Sequence, residues 1–381
     1  MKISKIILKG VNNFEDFTYS FEDNWAKTIP DALLLIGPNG CGKTTLLRSI
    51  GNLWAILGGF LERLPYMVLT NRFVEPGKYD GTFRAGDPLN SLVIQRANIF
   101  AESPLAAMEI NDFVPGMANP LWVYIGNDAE VSHFCQTCQH AHTIGGKRTT
   151  GDERNHVTIN YQPPATGPNA AVASQQWIEN IRERFIKNRM GGSADLANLI
   201  FLESETRTLP QIEEAYRVMP EKEDFNWLAL YNADNRREGS LQNYLFTLKA
   251  INPEKYDRTI AAMNAFLADK QISGFDQTTA DLMITTKSGK THPIHLLSSG
   301  ERQILLILAF IARELRPGGI VLIDEPDLHL HVSLSNAFVS HLKQWVAAQG
   351  GQLIMASHSP QLWERFTQAE RVELGSLEDV A

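Results

Sequence analysis

An apolar run is followed directly by a glycine-rich loop near the start of the chain, and this pair constrains the fold more than any other feature. Residues 32–36 read ALLLI and residues 37–44 read GPNGCGKT. This order predicts a buried strand, a loop whose backbone N–H groups turn inward, and a helix that begins near Lys43. A chance glycine turn rarely has all three parts in sequence. The pattern therefore predicts a phosphate-binding loop on an α/β sheet.

The residues of this loop have the chemistry that a nucleoside triphosphate requires. Glycines let backbone N–H groups approach phosphate oxygens, Lys43 reaches the β- and γ-phosphates, and the Thr44 hydroxyl is placed to ligate Mg²⁺. We therefore predict a bound nucleotide and Mg²⁺, with Thr44 as a metal ligand. The predicted nucleotide-binding residues of the loop are Asn39, Gly40, Cys41, Gly42, Lys43, Thr44 and Thr45.

Composition and charge narrow the class of protein. The 381 residues are 44% hydrophobic and 20% charged, with a formal net charge of -8. The length suffices for one large domain or a domain with a sizeable insert. The acidic balance disfavours a generally basic nucleic-acid binder but permits a local basic patch. No apolar run reaches about 18 residues, and neither a secretion signal nor a disulfide framework is evident. We expect a cytoplasmic protein without a membrane partner.

A second apolar run near the other end of the chain leads to two carboxylates. Residues 319–323 read GIVLI without polar alternation, as in a parallel strand that is covered on both faces. Asp324 and Glu325 follow at its carboxyl end, where α/β sheets bind their ligands. We predict Asp324 as a metal residue and Glu325 as the catalytic base that orients or deprotonates the attacking water. The alternative, a solvated acidic strand end, is common for an isolated pair.

A histidine follows a third apolar segment. Residues 352–356 read QLIMA, and Ser357, His358 and Ser359 come next. His358 is therefore predicted at another strand end on the same edge of the sheet. An imidazole at that place can hydrogen-bond the γ-phosphate or the attacking water, so we predict His358 as a catalytic residue. A purely structural histidine is the alternative.

A serine- and glycine-rich turn precedes a predicted helix over residues 304–316. Free N–H groups and the helix dipole favour a phosphate at such a turn, which contains Ser298, Ser299, Gly300 and Glu301. A plain N-cap with a capping-box glutamate is the alternative. One γ-phosphate cannot easily be shared by two helix N-termini of the same subunit. We therefore predict a head-to-tail homodimer or higher homo-oligomer in which this turn binds the nucleotide of the other subunit.

Taken in this order, the segments resemble ATPases of the ATP-binding-cassette class, and specifically their soluble RecF, SMC and OLD-like branch (AAA_21-type). The segments are MKISKIILKGVNNFEDFTYSF, GPNGCGKTT, LLSSGERQ, IVLIDEPDLHLH and ASHSP. Transporter cassettes usually have LSGGQ, whereas this chain has Ser299 and Glu301. The resemblance covers residues 1–55 and 280–366. It implies ATP as the nucleotide, residues 298–301 acting in trans, His358 as the switch histidine, and residues 326–331 as a loop that faces the dimer partner.

The same resemblance implies a fold class and a division of the chain. The fold is α/β, a P-loop NTPase of the ATP-binding-cassette type, with a mixed sheet flanked by helices and an inserted helical lobe. We expect an ATPase core over 1–55 and 280–381, and an insert over 56–279 with extra strands and a flexible loop over 130–155. Apolar stripes predict helices over 177–189, 241–248 and 258–270. Neither a long coiled-coil arm nor a TOPRIM-like nuclease domain is expected.

Two positions depart from the pattern of that branch. Glu15 and Asp16 follow the Asn-Phe turn, where a basic residue is frequent, so adenine contacts near the N-terminus are in doubt. The glutamine that senses the metal has two candidate locations. One is Gln95, and the other, which we prefer, is the polar turn after residues 199–202, with Glu205 or Arg207 near the nucleotide. A surface turn is the alternative for the second location.

A short polar stretch of the insert contains a candidate zinc site. Cys135, Cys138, His140 and His142 have the chemistry of a tetrahedral Zn²⁺ centre, but their spacing is tight and no distant second pair is evident. A solvated loop is the other interpretation. A basic patch is a further hypothesis, with scattered solvated charge as its alternative. Its residues would be Lys147, Arg148, Arg154, Arg182, Arg184, Lys187 and Arg189.

The resemblance implies two alternative functions. In the first, ATP closes a homodimer and hydrolysis opens it, and this switch senses a trigger and controls or scaffolds a separate effector, a nuclease or toxin, in anti-phage defence. In the second, a RecF-like repair ATPase clamps duplex DNA. A transporter cassette is disfavoured by Ser299, Glu301 and the long insert.

Overall fold

The computed structural model describes most of the chain. The described residues are 1–69, 81–82, 100, 103–114, 120–149, 156–164, 176–177, 179–181, 183–185, 187, 196–205, 207, 227–231, 241–267, 269–276, 278–279, 281–328 and 330–375. In chain order, the strands are β1 (Lys2–Val11), β2 (Phe14–Ser20), β3 (Ala32–Ile36), β4 (Gly81–Thr82), β5 (Leu105–Asn111), β6 (Leu121–Gly126), β7 (His142–Thr149), β8 (His156–Gln162), β9 (Leu199–Leu202), β10 (Leu228–Leu230), β11 (Lys270–Phe275), β12 (Leu282–Thr286), β13 (Thr291–Pro293), β14 (Ile320–Asp324), β15 (Gln352–Ala356) and β16 (Arg371–Glu373). The helices are α1 (Lys43–Leu69), α2 (Asp128–Thr137), α3 (Leu241–Ile251), α4 (Pro253–Asn264), α5 (Ser299–Glu314), α6 (Val332–Ala348) and α7 (Pro360–Trp363).

A parallel sheet contains the strands that precede the sequence motifs. Its order is β10-β9-β14-β15-β3-β16, and every pairing is parallel. All five residues of β3, of β14 and of β15 are buried, because these strands are covered on both faces. Since the three strands are parallel, their carboxyl ends lie at one edge of the sheet. The phosphate loop and the residues after β14 and β15 therefore meet at that edge.

A second sheet lies across α1 from the first. Its order is β2-β1-β5-β6-β7-β8-β4, and β6–β7 is its parallel pair while the other pairings are antiparallel. Helix α1 contacts β5, β6 and β7 on one side and β9, β10, β14 and β15 on the other. This double cover explains why residues 49–61 of α1 are buried all round. Strands β5 to β8, which belong to the predicted insert, thus extend the sheet that begins with β1.

Two polar contacts join the layers. Gln352 on β15 is fully buried, accepts a hydrogen bond from Ile3 N (2.8 Å) and donates one to Ile3 O (3.2 Å). Trp54 of α1 and Trp227 stack at 4.5 Å, and each indole N–H donates to the main-chain carbonyl of the other residue (2.8 and 2.9 Å). These bonds satisfy polar groups inside an apolar interface, so they fix how α1 and the two sheets are aligned.

A helical lobe packs on the outer face of the parallel sheet. It comprises α3, α4, α5 and the antiparallel sheet β11-β12-β13. Helix α3 confirms the predicted stripe over 241–248. The helix predicted over 258–270 is displaced: α4 begins at Pro253, because Asn252 caps it by accepting from Lys255 N (3.0 Å). It ends at Asn264, whose side chain accepts from Ile272 N (2.8 Å) and turns the chain into β11.

The insert contains regular structure where a loop was predicted. Residues 128–137 form α2 and residues 142–149 form β7, so the flexible loop expected over 130–155 is wrong for this part. Asn127 caps α2 by accepting from Glu130 N (2.9 Å), and β7 pairs with both β6 and β8. The described residues between 176 and 187 are helical, with Trp177, Ile181 and Phe185 buried, as the stripe predicts. Among the described helices, none combines the length and apolar composition that crossing a bilayer requires.

Candidate nucleotide-binding site

The phosphate loop has a backbone that requires glycine at two positions. Gly37 and Gly42 have φ of 148° and 101°. A Cβ on Gly37 would lie 2.2 Å from the carbonyl oxygen of Leu374, and a Cβ on Gly42 would lie 2.7 Å from the ring of Phe14. Both close approaches involve residues outside the loop. The surrounding fold therefore holds the loop in its curved shape.

Lys43 is enclosed by the loop that it follows. Its Nζ donates to the carbonyl oxygens of Gly37 (2.8 Å) and Pro38 (2.9 Å), and the residue is only 7% exposed. The side chain of Asn13, from the turn between β1 and β2, donates to the carbonyl of Gly40. The loop thus surrounds the buried ammonium group of Lys43, whose positive charge suits anionic phosphate oxygens.

A buried carboxylate joins the start of α1 to the end of β14. Thr44 Oγ1 and Ser204 Oγ both donate to Asp324 Oδ2, at 3.0 and 3.1 Å. Asp324 is 2% exposed, and among the described residues its Oδ1 has no hydrogen-bond partner. A buried anion with one unpaired oxygen beside a threonine hydroxyl is suited to a hard divalent cation. Thr44 and Asp324 therefore fit Mg²⁺.

Glu325 and His358 lie side by side at the same edge. The His358 Nδ1 lies 2.8 Å from Glu325 Oε2, and the two side chains are 55% and 18% exposed. Burial raises the pKa of Glu325; His358 opposes this and the neighbouring Asp327 and Asp324 add to it. A raised carboxyl pKa favours proton acceptance, as a general base requires. Glu325 directly follows Asp324 in the sequence, so the candidate base and the candidate metal ligand are adjacent.

The main chain of Glu325 has an unusual conformation. Its φ is 49°, which costs a residue with a Cβ about 1 kcal/mol. Glu325 N donates to Ala356 O (2.8 Å), and Glu325 O accepts from Arg207 Nη2 (2.7 Å). Hydrogen bonds on both sides of the residue therefore hold the strained turn that aims this carboxylate at His358.

The turn after β9 lies against these carboxylates, at the preferred location for the metal-sensing residue. Ser204 contacts Asp324 and Arg207 contacts Glu325, whereas Glu205 is 81% exposed and its nearest cation is Arg48 (3.5 Å). Gln95 lies outside the described residues. The contribution of Ser204 is absent from the sequence predictions. The available signal was its place two residues after a fully buried strand.

The serine-rich turn begins α5 as a capping box. Ser298 N and Oγ donate to Glu301 Oε2 (2.9 and 2.7 Å), and Glu301 N donates to Ser298 Oγ (3.3 Å). Lys270 Nζ donates to both carboxylate oxygens of Glu301 (2.8 and 3.0 Å). Ser298 and Ser299 are exposed and Gly300 is buried. Among the described residues, no hydrogen bond or ion pair links this turn to the phosphate loop of the same chain.

The structure does not support the candidate zinc site. His142 is buried at the start of β7, where Nδ1 lies 2.9 Å from Tyr161 Oη and the ring stacks on Trp177 at 4.3 Å. Burial raises the pKa of the thiols of Cys135 and Cys138, which disfavours the thiolates that zinc needs. In the described ranges, no three His, Cys, Asp or Glu side chains are grouped to hold a metal. Pairing of β7 with its neighbours turns His142 into the core instead.

Two basic residues of the predicted patch, Lys147 and Arg184, have local partners, and Lys187 is exposed. Lys147 Nζ lies 2.6 Å from Asp128 Oδ1, and Arg184 Nε donates to Asn180 Oδ1 (2.7 Å). The side chain of Arg148 and residues 154, 182 and 189 lie outside the described part. The patch hypothesis gains no support from the described residues.

Comparison with known proteins gives one family and several relatives. Residues 174–364 match the family described as "AAA domain, putative AbiEii toxin, Type IV TA system". "Retron Ec83 probable ATPase" of Escherichia coli is 25% identical over 405 aligned residues, which cover 95% of this chain and 69% of that protein. "Retron Vc95 probable ATPase" of Vibrio cholerae serotype O1 biovar El Tor is 30% identical over 160 residues, covering 36% of this chain and 30% of that protein.

Among solved structures, the "SMC head domain from Thermotoga maritima" aligns with 96% of this chain and 92% of its own length, at 14% identity and a TM-score of 0.42. The matched family region contains the serine-rich turn, Asp324, Glu325 and His358, while the phosphate loop precedes it. The fold, with a phosphate loop and two carboxylates at one edge of a parallel sheet, is the predicted α/β fold of a P-loop NTPase. Since half of the sequence matches the family and the sheet has this arrangement, the chain belongs to the AAA domain family.

Proposed function

We propose that this protein is a Mg²⁺-dependent ATPase that works as a dimeric switch and controls a separate effector. The family and the fold support ATP hydrolysis in general. One observation supports the specific reaction most strongly: Asp324 and Glu325 are adjacent, and they contact Thr44 of the phosphate loop and His358 respectively. This arrangement places metal, phosphate and base candidates together.

Binding of the triphosphate uses the loop and the first turn of α1. The N–H groups of residues 39–45 and the ammonium of Lys43 neutralise phosphate oxygens. Thr44 and Asp324 would hold Mg²⁺, which would supply positive charge to offset the phosphate oxygens. Ser204 keeps the Asp324 carboxylate oriented by donating to the oxygen that Thr44 also contacts.

In the hydrolysis step, Glu325 acts as the base for the attacking water. Water attacks the γ-phosphorus, the bond to the β–γ bridging oxygen breaks, and Glu325 accepts the proton that the water loses. His358 lies 2.8 Å from that carboxylate and orients it. The products are ADP and phosphate. Because positioning and charge neutralisation supply most of the acceleration in phosphoryl transfer, the rigidity of this edge matters as much as the base.

The serine-rich turn is assigned to the site of the partner subunit. Ser298 and Ser299 are exposed at the start of α5. Among the described residues, no hydrogen bond or ion pair joins this helix N-terminus to the phosphate loop of its own chain. A helix N-terminus with exposed serines favours a phosphate. ATP then connects two subunits, and loss of the γ-phosphate lets them separate, so the nucleotide sets the population of the closed state.

The relatives suggest where such a switch acts. Two of them are named as probable ATPases of retrons. By analogy, the chain serves as the ATPase component of a defence unit and acts on a partner nuclease or toxin. The RecF-like clamp is the competing hypothesis.

The test compares Glu325→Gln with Lys43→Ala. Removal of the base lowers the rate of phosphate release by about 10²- to 10⁴-fold while ATP still binds. With ATP and Mg²⁺, Glu325→Gln elutes as a dimer in light-scattering chromatography, and Lys43→Ala neither binds ATP nor dimerises. Parental hydrolysis by Glu325→Gln would remove Glu325 from its role. A dimer that forms equally without ATP would refute the switch.

The clamp hypothesis has a separate assay. Glu325→Gln with ATP is titrated against a fluorescent DNA duplex at increasing salt. A clamp binds and loses affinity steeply as salt rises, because phosphate contacts release counterions. We expect no binding at low salt, since the formal net charge is -8 and two residues of the predicted basic patch, Lys147 and Arg184, have local partners.

A further inference from the structure

Arg207 is buried without enough hydrogen-bond acceptors. It is 5% exposed, and Nη2 donates to Glu325 O at 2.7 Å. Its Nε and Nη1 are also buried, and neither has a partner among the described residues. A guanidinium has five donor hydrogens in a rigid fork, so a buried one with two unsatisfied nitrogens requires a further acceptor. The segment holding it is the polar turn after β9.

The charge of Arg207 is maintained by the carboxylates beside it. Burial lowers its pKa to about 10, while Asp324, Glu325 and Asp327 oppose that change. The side chain is therefore a cation at neutral pH. Its unsatisfied donors favour an anion. One of the neighbouring carboxylates, Asp324, also accepts a hydrogen bond from Thr44 at the end of the phosphate loop.

Two buried groups of opposite charge thus each have polar atoms without a hydrogen-bond partner among the described residues. Asp324 Oδ1 is an acceptor that needs a cation or a donor, and Arg207 Nε and Nη1 are donors that need an acceptor. A magnesium–nucleotide complex has both halves: a divalent ion and anionic phosphate oxygens. ADP lacks the terminal phosphate, so the two nucleotides satisfy this pair differently.

We propose that Arg207 is a positioning residue that distinguishes ATP from ADP. Its Nη2 fixes the main chain of Glu325, and its remaining donors bind the γ-phosphate. This inference rests on the proposed ATPase function and names the residue through which the γ-phosphate is coupled to the base. Loss of the γ-phosphate releases the guanidinium of Arg207. The hydrogen bond from its Nη2 to the main-chain carbonyl of Glu325 can then break.

The experiment measures affinity without turnover. Binding of AMP-PNP and of ADP, each with Mg²⁺, is measured by calorimetry for the parent, Arg207→Ala, Arg207→Gln and Arg207→Lys. Loss of charged hydrogen bonds weakens AMP-PNP binding about 10-fold or more in Arg207→Ala and Arg207→Gln. ADP binding changes less than about 2-fold, because no γ-phosphate is present. Arg207→Lys restores part of the preference, since it keeps the charge but not the fork.

Controls separate this role from a structural one. Arg258→Ala removes an exposed arginine on α4 and keeps both affinities. Thermal unfolding without nucleotide shows which variants fold, and if Arg207→Ala fails to fold, the ratio of affinities in Arg207→Lys against Arg207→Gln decides. Equal loss of AMP-PNP and ADP binding, or no loss, would overturn the proposal. The proposed function fails separately, if the parent releases no phosphate from ATP.

Discussion

Within the helical lobe, the contact between Lys270 and Glu301 connects the start of β11 to the serine-rich turn at the start of α5. Lys270 Nζ reaches both carboxylate oxygens (2.8 and 3.0 Å), and the side chains are 22% and 13% exposed. Exposed ion pairs contribute about 0.2–1 kcal/mol, and hydrogen bonds to charged groups about 1.5–3 kcal/mol. This pair is partly buried, so we expect a coupling energy of about 1–2 kcal/mol.

A double-mutant cycle measures that coupling. Lys270→Met, Glu301→Gln and the double variant are unfolded in urea without nucleotide, and the non-additive part of the free energies of unfolding is the coupling. Lys287→Met is the matched control, because Lys287 is an exposed lysine of the same lobe and its replacement changes stability by less than about 0.5 kcal/mol. A coupling below about 0.5 kcal/mol would refute the reasoning.

The pH dependence of the cycle provides a second check. Burial raises the pKa of Glu301, but hydrogen bonds from Lys270 and Ser298 outweigh it, so its pKa in the folded protein is lowered. A lowered folded pKa means that the stabilisation is complete above the unfolded pKa of a glutamate, about 4.3, and is lost as the pH falls through the folded value. The coupling is therefore full at pH 7 and decreases in acid. A coupling that stays constant into acid would contradict the ionic origin.

Two further predictions concern the fold around the site. Gly37→Ala places a Cβ 2.2 Å from the Leu374 carbonyl at a φ of 148°, so we expect loss of nucleotide binding and a lower melting temperature, measured by calorimetry. Gln352→Leu leaves the N–H and C=O of Ile3 without their partner in the core, and we expect about 2–4 kcal/mol of destabilisation in urea unfolding. Gln361→Leu, at an exposed position, is the control. A parental stability of Gln352→Leu would show that water replaces both bonds.

The strand–loop–helix unit at residues 32–44 was predictable because its determinants are local. Five apolar residues make a strand that must be covered on both faces, and glycines permit the φ values of the loop. The meeting of Thr44 with Asp324 follows from a general rule, since carboxyl ends of parallel strands share an edge. The catalytic and metal-binding roles of these residues stay predictions.

Other sequence predictions failed where a short pattern competed with pairing over longer distances. The Cys and His residues at 135–142 have zinc-like chemistry, but β7 pairs with β6 and β8 and takes His142 into the core. The start of α4 was misplaced because the Asn252 cap and Pro253 lie outside the apolar stripe that was used to find it.

Strands β3, β14 and β15, the phosphate loop and the carboxylates at one edge could be predicted from the residues alone, because each depends on neighbouring residues or on the direction of parallel strands. Three features became visible only in the folded chain: α1 lies between two sheets, Arg207 holds the main chain of Glu325, and Lys270 holds Glu301. These contacts join segments that are far apart in the chain. Their geometry depends on the strand order and on the packing of the lobe. Many small burial energies determine these together, so a short sequence pattern does not predict them.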